Sequence, residues 1–367
     1  MKKILLAIGT ITLLCSFQNQ EDNNLSMFVG TSTNGSGNGI YFYHFDQEKG
    51  ISSLVNVLSI GNPSFFVFSQ DKKFIYSVSE YSEGKATISS INLNCAKEKM
   101  SILNTVPAEG DDPCNITTDG KNVYTANYSS GSIAVFPIKA DGSIGKASKV
   151  IQFHGKGIDP NRQSMSHLHC VKFSPDGKYL YADDLGGDCI YKFQIKIENG
   201  KNTINEGIPS SFKVTAGSGP RHLTFSPNGK QAYLVNELSG TVIVFDYNNG
   251  ILKEKQTVVA DTVKAHGSAD IHLSPDGKFL YASNRLKADG IAIFKVDSKG
   301  FLMRVGYQLT GIHPRNFAIT PNGKYVLVAC RDSNIVQVYK RNFKTGLLTN
   351  IYNDIKINKP VCVQFVQ

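Results

Sequence analysis

The sequence predicts an all-β protein: a seven-bladed β-propeller of four-stranded antiparallel blades, its ring closed by N- and C-terminal segments that share one blade. Three observations predict it. A strand–turn–strand unit recurs six times at near-constant spacing. Helical periodicity is nearly absent. The two ends of the chain each carry part of a seventh unit that neither completes alone.

The copies run in order along the chain. They are "FSQDKKFIYSV" from Phe68, "TTDGKNVYTA" from Thr117, "FSPDGKYLYA" from Phe173, "FSPNGKQAYLV" from Phe225, "LSPDGKFLYA" from Leu273 and "ITPNGKYVLVA" from Ile319. Their turn residues, Asp71, Asp119, Asp176, Asn228, Asp276 and Asn322, are separated by 48, 57, 52, 48 and 46 residues. In each copy an apolar strand enters a turn, and in four of the six Pro presets one dihedral and Gly supplies the positive one. An alternating second strand follows, and then a third, such as "GTVIVFDY" or "GIAIFKV". A looser fourth segment completes the unit.

The C-terminal "KPVCVQFVQ" reads as a first strand, and the N-terminal "MFVGTSTNGSGNGIYFYHFD" as a second and third. Joined in one sheet they remove an open edge. The closing blade is expected from residues near 27–58 and 359–367, within one domain over 25–367. The longest insertion, "HGKGIDPNRQSMSHLHC", accounts for the interval of 57 residues.

Composition narrows the function. The 367 residues are 41% hydrophobic, enough for a large core, and carry 39 Lys and Arg against 30 Asp and Glu, a formal charge of +9. The basic residues are scattered and form no stripe interleaved with aromatics, so no nucleic-acid partner is expected. Lys2 and Lys3 precede the apolar run "ILLAIGTITLL" and then a polar stretch, the order of a cleaved export signal over residues 1–20. A periplasmic or secreted protein is expected, held at a membrane only if Cys15 is lipidated. The other six cysteines form no CxxC or Cys–His cluster, so buried free thiols are expected, with no metal site and no cofactor. The partner is a small molecule, and the chain a monomer or weak oligomer.

Residues just before each first strand and just after each second strand fall on one face of the disc, around the channel. Before the first strands stand Asn62-Pro63-Ser64, Pro113-Cys114-Asn115, His167-Leu168-His169, Pro220-Arg221-His222, Ala269-Asp270 and Pro314-Arg315-Asn316. After the second strands stand Ser79-Glu80, Asn127-Tyr128, Asp183-Asp184, Asn236-Glu237, Asn284-Arg285 and Cys330-Arg331. The opposite face repeats Pro-Asp-Gly, which the turns explain. Convergent polar groups around a concavity make this mouth the candidate site. Arg221 and Glu237, sixteen apart in sequence, are expected to be neighbours in space.

These segments resemble the seven-bladed lactonase family, which includes the propeller-type 6-phosphogluconolactonases and a carboxy-muconate lactonizing enzyme. The resemblance spans roughly residues 27–367. It rests on "FVGTST", "RQSMSHLHCVKFSPDGKYLYADDLGGD", "SGPRHLTFSPNGKQAYLVNELSGTV", "GSADIHLSPDGKFLYASNR" and "HPRNFAITPNGKYVLVA". It implies hydrolysis of a sugar lactone. The family's His falls on His167 or His169, its arginines on Arg221 and Arg285, and its Glu on Glu237. A neutral His, or a Glu of raised pKa, would take a proton from water, and the arginines would stabilise the oxyanion. His222, Asp184, Asn236, Asp270, Arg315 and Arg331 are candidate substrate contacts, the last two for a phosphate or carboxylate. The chain departs from the family pattern in "SHLH", in "PCN" with Asn115, and in "SADIH" with Asp270. Two alternatives stand beside the hydrolase: a non-enzymatic periplasmic propeller that binds a ligand or protein, and a lactone-forming cycloisomerase.

Overall fold

The computed structural model describes residues 24–33, 37–198 and 201–366. The expected export signal and Cys15 lie outside them. Seven antiparallel sheets follow one another along the chain. Six have four strands, and the sheet begun by Pro314–Ile319 gains a short fifth, Ile355–Lys356. In the closing blade, Asn24–Thr31 pairs with Gly39–Asp46 on one side and with Pro360–Phe365 on the other. The ends of the chain therefore share one sheet, as the incomplete repeats require. Among the described residues the six cysteines are free thiols, and five of them are buried.

Each turn is built by its own sequence. In the copy at Phe173, the Ser174 hydroxyl donates to Asp176 Oδ1 at 2.6 Å and accepts the Tyr179 N–H at 3.0 Å. Gly177 closes the turn at φ +68°, a conformation that disfavours any Cβ. The second strand alternates, and its Tyr is buried between blades. Tyr233 donates to the Gly300 carbonyl at 3.1 Å, and Tyr281 to that of Gly346 at 2.8 Å, each in the following blade. Apolar faces of adjacent sheets supply the core. One such layer joins Tyr233, Val235 and Val244 to Ile271, Leu280 and Phe294. Each large apolar side chain buried this way stabilises the ring by about 1.5–3 kcal/mol.

One irregularity positions the site. Between the first and second strands the register slips at Pro113/Asn115, Leu168/Cys170, Pro220/His222 and Pro314/Asn316. Cys114, His169, Arg221 and Arg315 are the extra residues of these β-bulges. A bulged residue is unpaired and re-aimed, here at the mouth end of the innermost strand. The next residue often ties blade to blade. Asn115 Oδ1 accepts the Val171 N–H at 3.0 Å, and Asn316 Oδ1 accepts that of Val363 at 2.7 Å.

Candidate active site

Glu237 follows the second strand of its blade, Gln231–Asn236, and its carboxylate is the hub of the mouth. Oε2 accepts from Arg221 Nη1, and Arg285 Nη2 lies 3.2 Å from the same oxygen. Oε1 accepts from Arg162 Nη2 at 2.7 Å. The side chains of Arg221, Glu237 and Arg285 are only 3%, 5% and 7% exposed. Burial alone would raise the Glu237 carboxyl. Arg221 and Arg285, with His169 and Arg162, override it and hold the group well below the usual range. Glu237 is therefore ionised and clamped. This corrects the expectation that it takes a proton from water with a raised pKa: three guanidinium groups stabilise the form that has already lost its proton.

Arg285 stays charged. Burial, and then repulsion by Arg221, pulls Arg285 down to about 9, still cationic at neutral pH. Arg285 is held by Nε donating to the Gly267 carbonyl at 2.9 Å and by Nη1, 3.2 Å from His313 Nε2. The other His313 nitrogen lies 3.5 Å from Asp332 Oδ2 and 3.3 Å from Arg331 Nη2. A neutral imidazole accepts at one nitrogen only, so His313 accepts from either Arg285 or Arg331 and not from both. Burial and the cations of Arg285 and Arg331 lower His313 to about 3, which keeps it neutral.

His169 and His167, equivalent in the sequence, separate here. His169 is buried, its ring edge-on to Tyr128 at 5.5 Å and to His222 at 5.3 Å. Nδ1 lies 3.6 Å from Cys114 Sγ, and Nε2 has no hydrogen-bond partner among the described residues. Burial, then Arg221, lowers its pKa well below 6.5, so the ring is neutral, and in the tautomer with its proton on Nδ1 the Nε2 lone pair is free. His167 instead stacks on Tyr128 at 4.4 Å, with Nδ1 3.0 Å from the Tyr128 carbonyl.

The remaining expected contacts divide. Arg315 and Arg331 reach the mouth and line a cavity of about 80 Å³ with Ser32, Ser64, Glu80 and Val361. Arg315 Nη2 lies 3.3 Å from Glu80 Oε2, and Arg331 pairs with Asp332 at 2.9 Å. Asp184 and Asn236 do not serve as expected. Both are fully buried; Asp184 Oδ1 accepts the His167 N–H at 2.7 Å, and Asn236 Nδ2 donates to Thr241 at 3.0 Å. They hold the loops that carry the site. Asp270 is also internal, since its carboxylate takes His222 Nδ1 at 2.8 Å, His272 Nε2 at 2.9 Å and Asn316 Nδ2 at 2.6 Å. His222 thus lies against Asp270 in the channel rather than in the mouth, and both line a second cavity of about 220 Å³ with Lys172, Thr224 and His272.

Sequence reasoning missed Arg162, His313 and the role of Glu80. Arg162 lies in the long insertion, outside any repeat. His313 stands directly before the Pro-Arg-Asn segment, and Glu80 occupies the register of Glu237; those positions were the available signals. Among the described residues no three His, Cys, Asp or Glu side chains converge as a metal-binding group.

Comparison with known proteins agrees with this architecture. The model of the family "Lactonase, 7-bladed beta-propeller" matches residues 26–365. The chain is 39% identical over 344 residues to a 6-phosphogluconolactonase of Formosa agariphila, covering 90% of this chain and 97% of that protein. It is 33% identical to the 6-phosphogluconolactonase of Bacillus subtilis, covering 92% and 97%. A crystal structure from Bacteroides fragilis superposes with a TM-score of 0.93 at 57% identity, covering 95% and 99%. The periplasmic gluconolactonase PpgL of Pseudomonas aeruginosa does so with a TM-score of 0.89 at 33% identity, covering 94% and 99%. The chain belongs to the seven-bladed β-propeller lactonase family.

Proposed function

We propose that this protein hydrolyses a sugar lactone in the channel mouth, with His169 as general base and Arg221 and Arg285 as the oxyanion site. The observation that carries the reading is a buried imidazole, with no hydrogen-bond partner at Nε2 among the described residues, near two buried guanidinium groups fixed by one carboxylate. Water loses a proton to His169 Nε2 and attacks the lactone carbonyl carbon. The carbonyl oxygen gains the negative charge, which Arg221 and Arg285 stabilise without rearranging, because Glu237 already holds them. The tetrahedral adduct then collapses. The C–O bond to the ring oxygen breaks, and the His169 proton passes to that oxygen. The product is the open hydroxy acid.

Charge supports an anionic substrate. Among the described residues, the ion pairs of Arg162, Arg221, Arg285, Arg315, Arg331 and Lys359 are made with three carboxylates, Glu80, Glu237 and Asp332, six cations to three. Such a mouth attracts a phosphorylated or carboxylated lactone and draws away the acid it becomes. Export through the first twenty residues is part of the proposal; similarity to a periplasmic gluconolactonase supports it. The test is a panel of sugar lactones, with and without phosphate, on wild type and His169→Gln. Turnover by wild type that falls at least 100-fold in the variant is expected. No turnover of any lactone would refute the reading and favour a binding propeller.

A further inference from the structure

The insertion between the second and third blades carries an arginine that the repeat does not supply. Its backbone is pinned on both sides. Asp159 Oδ1 accepts the Asn161 and Arg162 N–H groups at 2.9 and 3.2 Å. Gln163, fully buried, donates its N–H to the Asp159 carbonyl at 2.7 Å and its Nε2 to Leu185 at 2.9 Å. From this fixed base the Arg162 side chain crosses to the fourth blade. There Nη2 donates to Glu237 Oε1 at 2.7 Å and to the Tyr128 hydroxyl at 3.3 Å.

Arg162 is the surplus cation of the cluster. Arg221 and Arg285 already hold Glu237, so one negative charge faces three guanidinium groups. It is also the one of the three that solvent reaches, at 36% side-chain exposure against 3% and 7%. Its other partner, Tyr128, lies edge-on to His169. A group that leaves Glu237 Oε1 and Tyr128 together uncovers one oxygen of the hub carboxylate and frees the hydroxyl of the ring beside the proposed base.

We propose that Arg162 is a displaceable gate that selects anionic substrates. The anionic group of the incoming molecule takes the guanidinium from Glu237 Oε1 and thereby opens the mouth. The exchange replaces one charge-assisted pair by another, and Arg221 and Arg285 still balance Glu237. A neutral molecule offers no such partner, so it must break the pair without forming one. The proposal rests on the lactonase reading for its consequence in turnover but not for its consequence in binding.

The test uses Arg162→Gln and Arg162→Lys in the full chain. Steady-state rates are measured on 6-phosphogluconolactone and on unphosphorylated gluconolactone. 6-Phosphogluconate and gluconate are titrated calorimetrically into the same proteins. Arg162→Gln is expected to raise KM for the phosphorylated lactone about 10- to 100-fold, with kcat changed less than about threefold. KM for the neutral lactone should stay the same or fall, and Arg162→Lys should restore part of the loss. 6-Phosphogluconate binding should weaken in parallel, and gluconate binding should not. Equal losses for both lactones, or a fall in kcat at constant KM, would overturn the gate and leave Arg162 a structural tie. If wild type turns over neither lactone, the lactonase reading fails while the titration still decides the gate. Selective weakening of 6-phosphogluconate then supports it; identical binding by wild type and variant, or binding by neither, overturns it.

Discussion

Glu237→Gln separates a clamp from a base. The wild-type carboxylate lies 3.2 Å from Arg285, an attraction of about 5 kcal/mol at an effective dielectric near 20, most of which offsets desolvation. Glutamine keeps the shape and two hydrogen-bonding sites but removes the charge. Arg221 and Arg285, almost without solvent, are then left uncompensated. Removing one partner from a buried ionic cluster costs about 3–5 kcal/mol. For roughly 340 ordered residues the unfolding entropy is about 0.7 kcal/mol/K, so Tm should fall by about 4–7 °C. The double variant Glu237→Gln/Arg285→Gln should lose at least about 1 kcal/mol less than the sum of the singles, because it also removes one stranded charge. Thermal unfolding by calorimetry reads both effects. A Glu237→Gln protein melting within a degree of wild type, or an additive double variant, would refute the clamp. Kinetics supply the second arm. If His169 is the base, the acid limb of the pH–rate profile persists in Glu237→Gln at a lower plateau; if the limb vanishes, Glu237 is the base.

Three further outcomes follow from the same geometry. His169, His222 and His313 are each lowered below 6.5, first by burial, so below that pH the unfolded chain binds protons that the folded chain does not. Stability should therefore fall as pH drops from 7 towards 5, and His313→Gln should flatten the slope in melts across that range. Arg221→Lys keeps a charge but cannot hold Glu237 and an oxyanion in one plane, so kcat should fall about 10²- to 10³-fold with a smaller change in KM. Deleting residues 360–367 strips the strand paired with Asn24–Thr31 and takes Val363 and Phe365 from the core; gel filtration and melts should report aggregation or loss of a cooperative transition.

The fold was legible because it repeats. Six turns in register state the blade, and the two incomplete ends state how the ring closes. The site was legible only as far as the repeat carries it. Register arithmetic brings Arg221, Glu237 and Arg285 to one face, but it does not reveal a bulge, because one extra residue leaves the apolar alternation on either side intact. The bulge is what turns His169, Arg221 and Arg315 into the mouth and sets His169 apart from His167. Charge state was less legible still. A carboxylate in a cleft suggests a raised pKa until its neighbours are counted, and Arg162 lies in an insertion that no periodicity locates.

The ion pairs of the mouth also join what the chain leaves separate. Arg221 meets Glu237 within one blade, but Arg285 reaches it from the next blade and Arg162 from the insertion two blades earlier in the chain's path. Arg315 pairs with Glu80 across 235 residues, passing over the closing blade, which also contributes Ser32 and Val361 to the cavity there. The Arg315–Glu80 contact exists only when the ring is closed, because closure alone brings the sixth and first blades to opposite sides of the shared seventh. The Arg221 and Arg285 donors are instead held by two neighbouring blades that meet at Glu237. A lesion at Pro360–Phe365 should then disable the Arg315–Glu80 side of the mouth before it disturbs the Arg221–Glu237 pair, whose blade remains intact.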